Sequence, residues 1–478
     1  MKSLIGKKWK DAASGKIIEV INPATNELVD TVPSLSKEEV DEAVDYAYEA
    51  QKEWALESVV SRCKILSKFA ELVEKNKDEL AKTLSDETGK PIREAYNEIN
   101  NIQIGVPAYV EKVKHEYGNL IYRGTEAGQE DTIQYTIQQP LGVVGAIIPF
   151  NFPSDIFINK VPPALLMGNA VVLKPASVNP LTLTKYVELL VKAGVPMGVI
   201  SVVHGSGSIV GSALTSNPKV SMISLTGSTE AGIDALKNCA DHCAHSSLEL
   251  GGNDAFILCE DGDLDLAVNE TVWGRLYNTG QVCCASKRFL IQNSVKDEYI
   301  KKMVEKIKSL KVGMPSDPAT DIGCLVSENA AIEVERQVNE TVDAGAKIVI
   351  GGKRNGAFYE PTILDNVTKD MAVSKDMEIF GPVISVIGFD TLEEAIEIAN
   401  QSKYGLSGSI ITKDISKAIK VSEKMECGGF VINGASFFRS FEQPFGGWKY
   451  SGIGNEGIMT TLKEMSRTKT VILKNITK

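Results

Sequence analysis

Apolar residues recur at helical spacing through the first hundred positions of this chain. Ser36 and Glu39 form a capping box, and Val40, Ala43, Val44, Ala47 and Trp54 then share one helix face. Residues 61–81 repeat the period with Ile65, Leu66, Phe69, Leu72 and Val73. Gly89 and Pro91 end a third helical stretch before another begins. From residue 141 the pattern changes: short β-branched runs at 143–148, 170–173, 199–203 and 220–224 alternate with helical stretches. Strands separated by helices imply parallel pairing, hence a doubly wound α/β fold that binds nucleotides at the carboxyl ends of its strands. After about residue 250 a second alternation predicts strands at 288–292, 346–350, 383–389, 407–411 and 429–432. Residues 130–139, with Tyr135 and Ile137 among polar positions, and 469–473 read as two exposed strands. They are either oligomer-forming edges or an ordinary covered hairpin.

Length and charge narrow the function. A chain of 478 residues is too long for one core, so two or three domains are expected. A net charge of −11 argues against a nucleic-acid partner, because a phosphate backbone selects a basic face. The longest apolar stretch, 141–150, holds two glycines and a proline and is far shorter than the roughly 20 residues a membrane helix requires. No apolar run follows the N-terminal lysines, so no secretory signal is read and a cytoplasmic protein is expected. The eight cysteines scatter through mostly apolar segments, which suits a reducing compartment better than a disulfide framework.

Several segments could carry chemistry, and each also has a plain structural reading. Tyr277-Asn-Thr-Gly-Gln-Val-Cys-Cys-Ala-Ser-Lys-Arg288 could present Cys283 as a nucleophile, with Gly280 letting a ligand approach the backbone, or could bury a structural thiol. In Leu248-Glu-Leu-Gly-Gly252, Glu249 lies between apolar residues, where a carboxylate is seldom found unless paired or functional. Pro149-Phe-Asn-Phe-Pro153 fixes Asn151 in a rigid turn, as an oxyanion donor or as a helix cap. Lys174 follows one strand and could reach a ribose or phosphate, or simply be solvated; Gly227 and Ser228 open a helix suited to a pyrophosphate, or to a plain turn. Gly205-Ser-Gly-Ser-Ile-Val-Gly211 imitates a dinucleotide fingerprint but is one residue too long. Cys239-Ala-Asp-His-Cys-Ala-His245 would place Cys239 and Cys243 on one helix face with both histidines off it, so no metal is expected.

Taken in order, these motifs resemble the aldehyde dehydrogenase superfamily, together with Asn-Pro-Ala-Thr at 22–25, Glu-Thr-Gly-Lys-Pro at 87–91, Lys174-Pro-Ala, Glu378-Ile-Phe-Gly-Pro382 and Pro444-Phe-Gly-Gly447. The resemblance spans nearly the whole chain. It implies Cys283 as nucleophile, Glu249 as the base that activates water and Asn151 as the oxyanion-hole side chain, with Cys284 a small neighbour of no chemical role. It further implies a nicotinamide cofactor, NADP or NAD, held by Lys174, Ser177, Gly227, Ser228, Glu378, Phe380 and Pro149. The implied fold is a Rossmann-like cofactor domain (1–119 and 139–250), an α/β catalytic domain (251–446) and a small β oligomerisation flap (120–138 and 447–478) in a homodimer or homotetramer.

Departures bear on specificity. Ser177 stands where NAD-preferring relatives often carry glutamate, so NADP is favoured. Asn159 replaces an arginine of enzymes resembling succinate-semialdehyde dehydrogenase. Ser436-Phe-Phe-Arg439 resembles a loop of lactaldehyde and phosphonoacetaldehyde dehydrogenases, and non-phosphorylating glyceraldehyde-3-phosphate dehydrogenases have an arginine nearby. Arg439 could hold a substrate anion or brace the loop against a carboxylate such as Glu442, whereas Asp155 would favour a hydroxylated aldehyde. The expected substrate is a short, polar or anionic aldehyde. A CoA-acylating enzyme and a catalytically inactive homologue are the alternatives.

Overall fold

The computed structural model describes residues 1–116 and 118–475. Two large sheets carry the fold. The first runs in the order Lys8–Lys10, Ser3–Ile5, Ile200–Val202, Ala170–Lys174, Val143–Ile147, Val220–Thr226, His245–Glu249, Gly452–Ile453. The five strands from Ile200–Val202 to His245–Glu249 are parallel, and two antiparallel strands close one side and one closes the other. Fully buried Val, Ile, Leu and Ala fill these strands, as a sheet covered by helices on both faces requires.

The second sheet runs Lys347–Ile350, Thr362–Val367, Val383–Phe389, Ser286–Gln292, Asp254–Leu258, Ser407–Ile411, Gly429–Ile432, parallel except at its first strand. The architecture is α/β, as the alternation of elements predicts. Strands Asp254–Leu258 and Thr362–Val367 were not foreseen, although Asp254–Leu258 lies deep in the sheet; short apolar runs do not distinguish strand from buried helix.

The two expected exposed strands find each other. Ser466–Leu473 pairs antiparallel along the whole of Ile133–Pro140, and Leu120–Ile121 adds a third strand, so that among the described residues the outer edge of Ser466–Leu473 is unpaired. The preceding helix, Ile458–Glu464, packs on helices Ile102–Val113 and Pro153–Leu166.

Local predictions fared variously. The Ser36–Glu39 capping box is formed in both directions. The stretch expected as one helix over 61–81 is two, Val59–Lys75 and Lys77–Thr88, because the chain breaks at Asn76. The helix holding Cys239 ends at Ala240, and Cys243 adopts a left-handed conformation, so the two thiols do not share a helix face. Among the described residues no helix is long and apolar enough to cross a membrane.

Candidate active site

The parallel strands of the first sheet deliver a row of loops at their carboxyl ends. Ile147 pairs with Lys174 and with Leu225, and Thr226 pairs with Glu249, so Lys174, the turn at Gly227 and Glu249 lie along one rim with the 148–152 loop between them. Cys283 comes from the other sheet, three residues before strand Ser286–Gln292.

The approach to Cys283 is conformationally unusual. Asn278, Thr279 and Gly280 adopt left-handed backbone in succession, with φ of 49°, 54° and 78°. For a β-branched threonine this is strained, and only surrounding contacts sustain it. The Asn278 N–H donates to Glu94 at 2.7 Å, and buried Arg275 spans the carbonyls of Gly280, Ile379 and Val383. Gly280 was expected to admit a ligand. Instead its missing side chain admits backbone: a Cβ there would lie 2.3 Å from the Gly381 oxygen.

Cys283, Cys284, Asn151, Asp155, Asn159 and Arg439 all line one cavity of about 590 Å³, together with Phe152, Trp273, Phe437, Phe441 and Glu442. This apolar chamber with few polar groups is the usual form of a small-molecule site. The Cys284 thiol hydrogen bonds to Cys283 and lowers it to about 7; Lys287 and Arg439 act in the same direction against burial. Lys287 also donates to the Cys283 carbonyl and forms an ion pair with Glu378 at 3.1 Å. The resemblance implied no chemical role for Cys284; here it is the largest cause of the lowering at Cys283.

Glu249 ends its strand buried, and neither carboxylate oxygen has a hydrogen-bond partner among the described residues. Burial raises its pKa well above the ordinary range, and Glu456 adds to the rise. The Asn151 side chain receives no partner among the described residues, while its backbone carbonyl accepts from Lys90 at 2.8 Å and Asn278 at 2.9 Å. Lys90, wholly buried, forms an ion pair with Glu98, whose other oxygen accepts the Ser154 N–H at 2.7 Å. Lys90 lies inside the Glu-Thr-Gly-Lys-Pro motif and Asn278 inside the Tyr277–Arg288 segment; Glu98 and Glu94 carried no signal of their own.

Arg439 is paired, but not with Glu442: its Nη2 donates to Glu456 at 2.8 Å, and its guanidinium lies 4.1 Å from the Phe445 ring centre. Asn159 accepts from Tyr109 and donates to the Asp155 carbonyl. Asp155 accepts from Asn101 at 2.9 Å, and burial, with Glu98 nearby, raises it to about 7.

On the rim, Lys174 is buried with one carbonyl, that of Pro175, for its three N–H donors, and burial lowers it to about 8. Ser177 donates to the Gly205 carbonyl at 2.8 Å. Ser228 caps helix Thr229–Ala240, and the Gly227 N–H donates to the Glu249 carbonyl. Glu378 reaches the Gly252 N–H, and a Cβ on Gly251 would fall 2.6 Å from its carboxylate. Phe380 packs edge-on to Phe150, beside partly exposed Pro149. An under-partnered ammonium, two serine hydroxyls and a helix N-terminus suit a ligand rich in hydroxyl and phosphate oxygens.

Comparison with known proteins agrees with this chemistry. The aldehyde dehydrogenase family model matches residues 9–471. A lactaldehyde dehydrogenase of Methanococcus aeolicus is 39% identical over 462 residues, which cover 96% of this chain and 97% of that protein. The mitochondrial succinate-semialdehyde dehydrogenase of Arabidopsis thaliana is 38% identical over 473 residues, 98% of this chain and 88% of that one. A crystal structure described as an E. coli NADP-dependent enzyme matches with a TM-score of 0.95 at 36% identity, covering 99% of this chain and 98% of the other. The chain belongs to the aldehyde dehydrogenase family and is an NAD(P)-dependent oxidoreductase acting on aldehydes.

Proposed function

We propose that the protein oxidises a short, polar or anionic aldehyde to its carboxylic acid, with NADP preferred over NAD, through a thioester on Cys283 that water hydrolyses. The observation that carries this reading is a cavity holding a lowered thiol and a free amide, Cys283 and Asn151, with the unpartnered Glu249 carboxylate close enough to feel the charge of Cys283.

The Cys283 thiolate attacks the aldehyde carbon; a carbon–sulfur bond forms and the carbonyl π pair moves to oxygen. The Asn151 amide and the Cys283 backbone N–H stabilise that oxyanion. The cofactor, when bound, supplies a hydride acceptor, which leaves the acyl group as a thioester. Lys174, Ser177, Gly227, Ser228, Glu378, Phe380 and Pro149 would hold it. Ser177 places no carboxylate where it would repel a 2′-phosphate, which supports NADP. Glu249 then takes a proton from water as the oxygen attacks the thioester; the carbon–sulfur bond breaks, and the acid and the thiolate separate. Its raised pKa makes Glu249 a stronger base than an exposed carboxylate.

Residues 1–119 and 139–250 would bind cofactor and 251–446 would supply catalysis. The three-stranded sheet would join subunits in a homodimer or homotetramer, which sedimentation reads directly. The decisive experiment follows reduced nicotinamide and free acid with NADP or NAD across lactaldehyde, glyceraldehyde 3-phosphate, succinic semialdehyde and an aliphatic control. Turnover of the polar members to free acid supports the reading; formation of acyl-CoA on adding CoA, with little acid, overturns it.

A further inference from the structure

The two halves of the catalytic constellation come from different sheets, and one side chain joins them. We propose that Asn278 is a positioning residue that fixes Asn151 relative to Cys283. This rests on the oxyanion role given to Asn151 above.

Asn278 precedes Cys283 on the left-handed run, and its backbone is tied into that run by Glu94 and by the Gln281 N–H, which donates to the Asn278 carbonyl at 3.0 Å. Its side chain leaves the run: Nδ2 donates to the Asn151 carbonyl at 2.9 Å and to the Gln281 carbonyl at 3.3 Å. Both partners are carbonyls, so the amide nitrogen must face them. Asn278 is 2% exposed, so no water substitutes for it readily. The residue must tolerate positive φ and also donate through a short side chain, and asparagine meets both demands.

The carbonyl that receives Asn278 belongs to the oxyanion residue itself. Its second donor is Lys90, and the neighbouring Phe150 carbonyl accepts from Asn179 at 2.9 Å. The 148–152 loop is therefore gripped by its own lobe through Lys90 and Asn179, while Asn278 supplies a side-chain hydrogen bond from the segment leading to the nucleophile, beside the ring contacts of Phe150 with Phe380 and of Phe152 with Tyr277. Removing that bridge leaves the thiol in place and lets the amide drift from the oxygen it must meet.

The test uses Asn278→Gly, which keeps the left-handed backbone accessible and deletes the donor. The expected result is a kcat lowered by about 100-fold, with KM and the rate of Cys283 alkylation by iodoacetamide within about twofold of the parent. Combined with Asn151→Ala, it should cost nothing further, because both act on the same donor. A parental kcat in Asn278→Gly overturns the proposal, as do losses that multiply in the double variant. Should the glycine variant fail to fold, Asn278→Asp keeps size and backbone preference while facing the Asn151 carbonyl with an acceptor; the same comparisons then decide. A fully active Asn151→Ala would remove the oxyanion assignment itself, a failure recognisably different from additive losses.

Discussion

Arg439 and Glu456 meet at 2.8 Å inside the wall of the cavity that Cys283 lines, and the other oxygen of the same carboxylate accepts from buried Lys160, also at 2.8 Å. Glu456 is 3% exposed and is held ionised between its two cations, which together outweigh the cost of burial. Arg439 is therefore committed at one edge and presents the rest of its guanidinium to the chamber.

That commitment sets a prediction. Arg439→Gln should destabilise the protein by about 1–3 kcal/mol, read as a lower thermal midpoint, because Glu456 keeps only one cation. If the free edge also anchors anions, KM for succinic semialdehyde and glyceraldehyde 3-phosphate should rise more than about tenfold while KM for lactaldehyde moves little. A uniform change across the panel would make the residue a brace alone.

The nucleophile should titrate early. With Cys283 lowered to about 7, alkylation by iodoacetamide should increase as pH rises through 7, since the thiolate exists above that point and the thiol below it. Cys284→Ala removes the largest cause of the lowering, so the midpoint should move upward and the alkylation rate at pH 7 should fall about 3–10-fold. An unchanged midpoint would show that Lys287 and Arg439 suffice.

Glu249→Gln separates the two halves of the reaction. Thioester formation should survive while hydrolysis slows by about 10²-fold or more, giving a burst of reduced nicotinamide near one per active site followed by a slow phase. Loss of the burst would place Glu249 in the first half instead. In the parent enzyme, the raised pKa predicts hydrolysis that weakens as pH falls, because protonated Glu249 cannot accept from water.

Ser177→Glu should invert cofactor choice. The carboxylate would repel a 2′-phosphate and accept from ribose hydroxyls, so the ratio of kcat/KM for NADP over NAD should fall by at least about tenfold. A ratio that holds would locate the discrimination elsewhere.

The residues that line the cavity were legible because each follows a strand end or sits in a short motif. Cys283, Asn151 and Arg439 converge on one cavity from segments that read as loops. What escaped notice was their support. Glu456 was invisible as the partner of Arg439 because the antiparallel bridge between Phe445 and Glu456 folds the chain back, bringing it closer than nearby Glu442. Glu94 and Glu98 belong to a short helix rich in polar residues, yet one turn apart they face inward and accept the Asn278 and Ser154 N–H groups. The break at Asn76 was hidden because hydrophobic period continues across it. Sequence spacing reveals which face is apolar; it does not reveal which buried polar groups find each other across sheets.

The pairing of Ser466–Leu473 with Ile133–Pro140, and of Gly452–Ile453 with His245–Glu249, gives the chain an order of assembly. Both contacts close very large loops, which are slow to form and late to be stabilised. Glu456 lies between them. A nascent chain that has emerged as far as Arg439 already carries Cys283, Asn151 and Glu249, but lacks the Glu456 carboxylate that pairs with the arginine. Until that segment docks, Arg439 lacks its hydrogen-bonded carboxylate, so during synthesis Cys283 is made well before the cavity wall around it is complete.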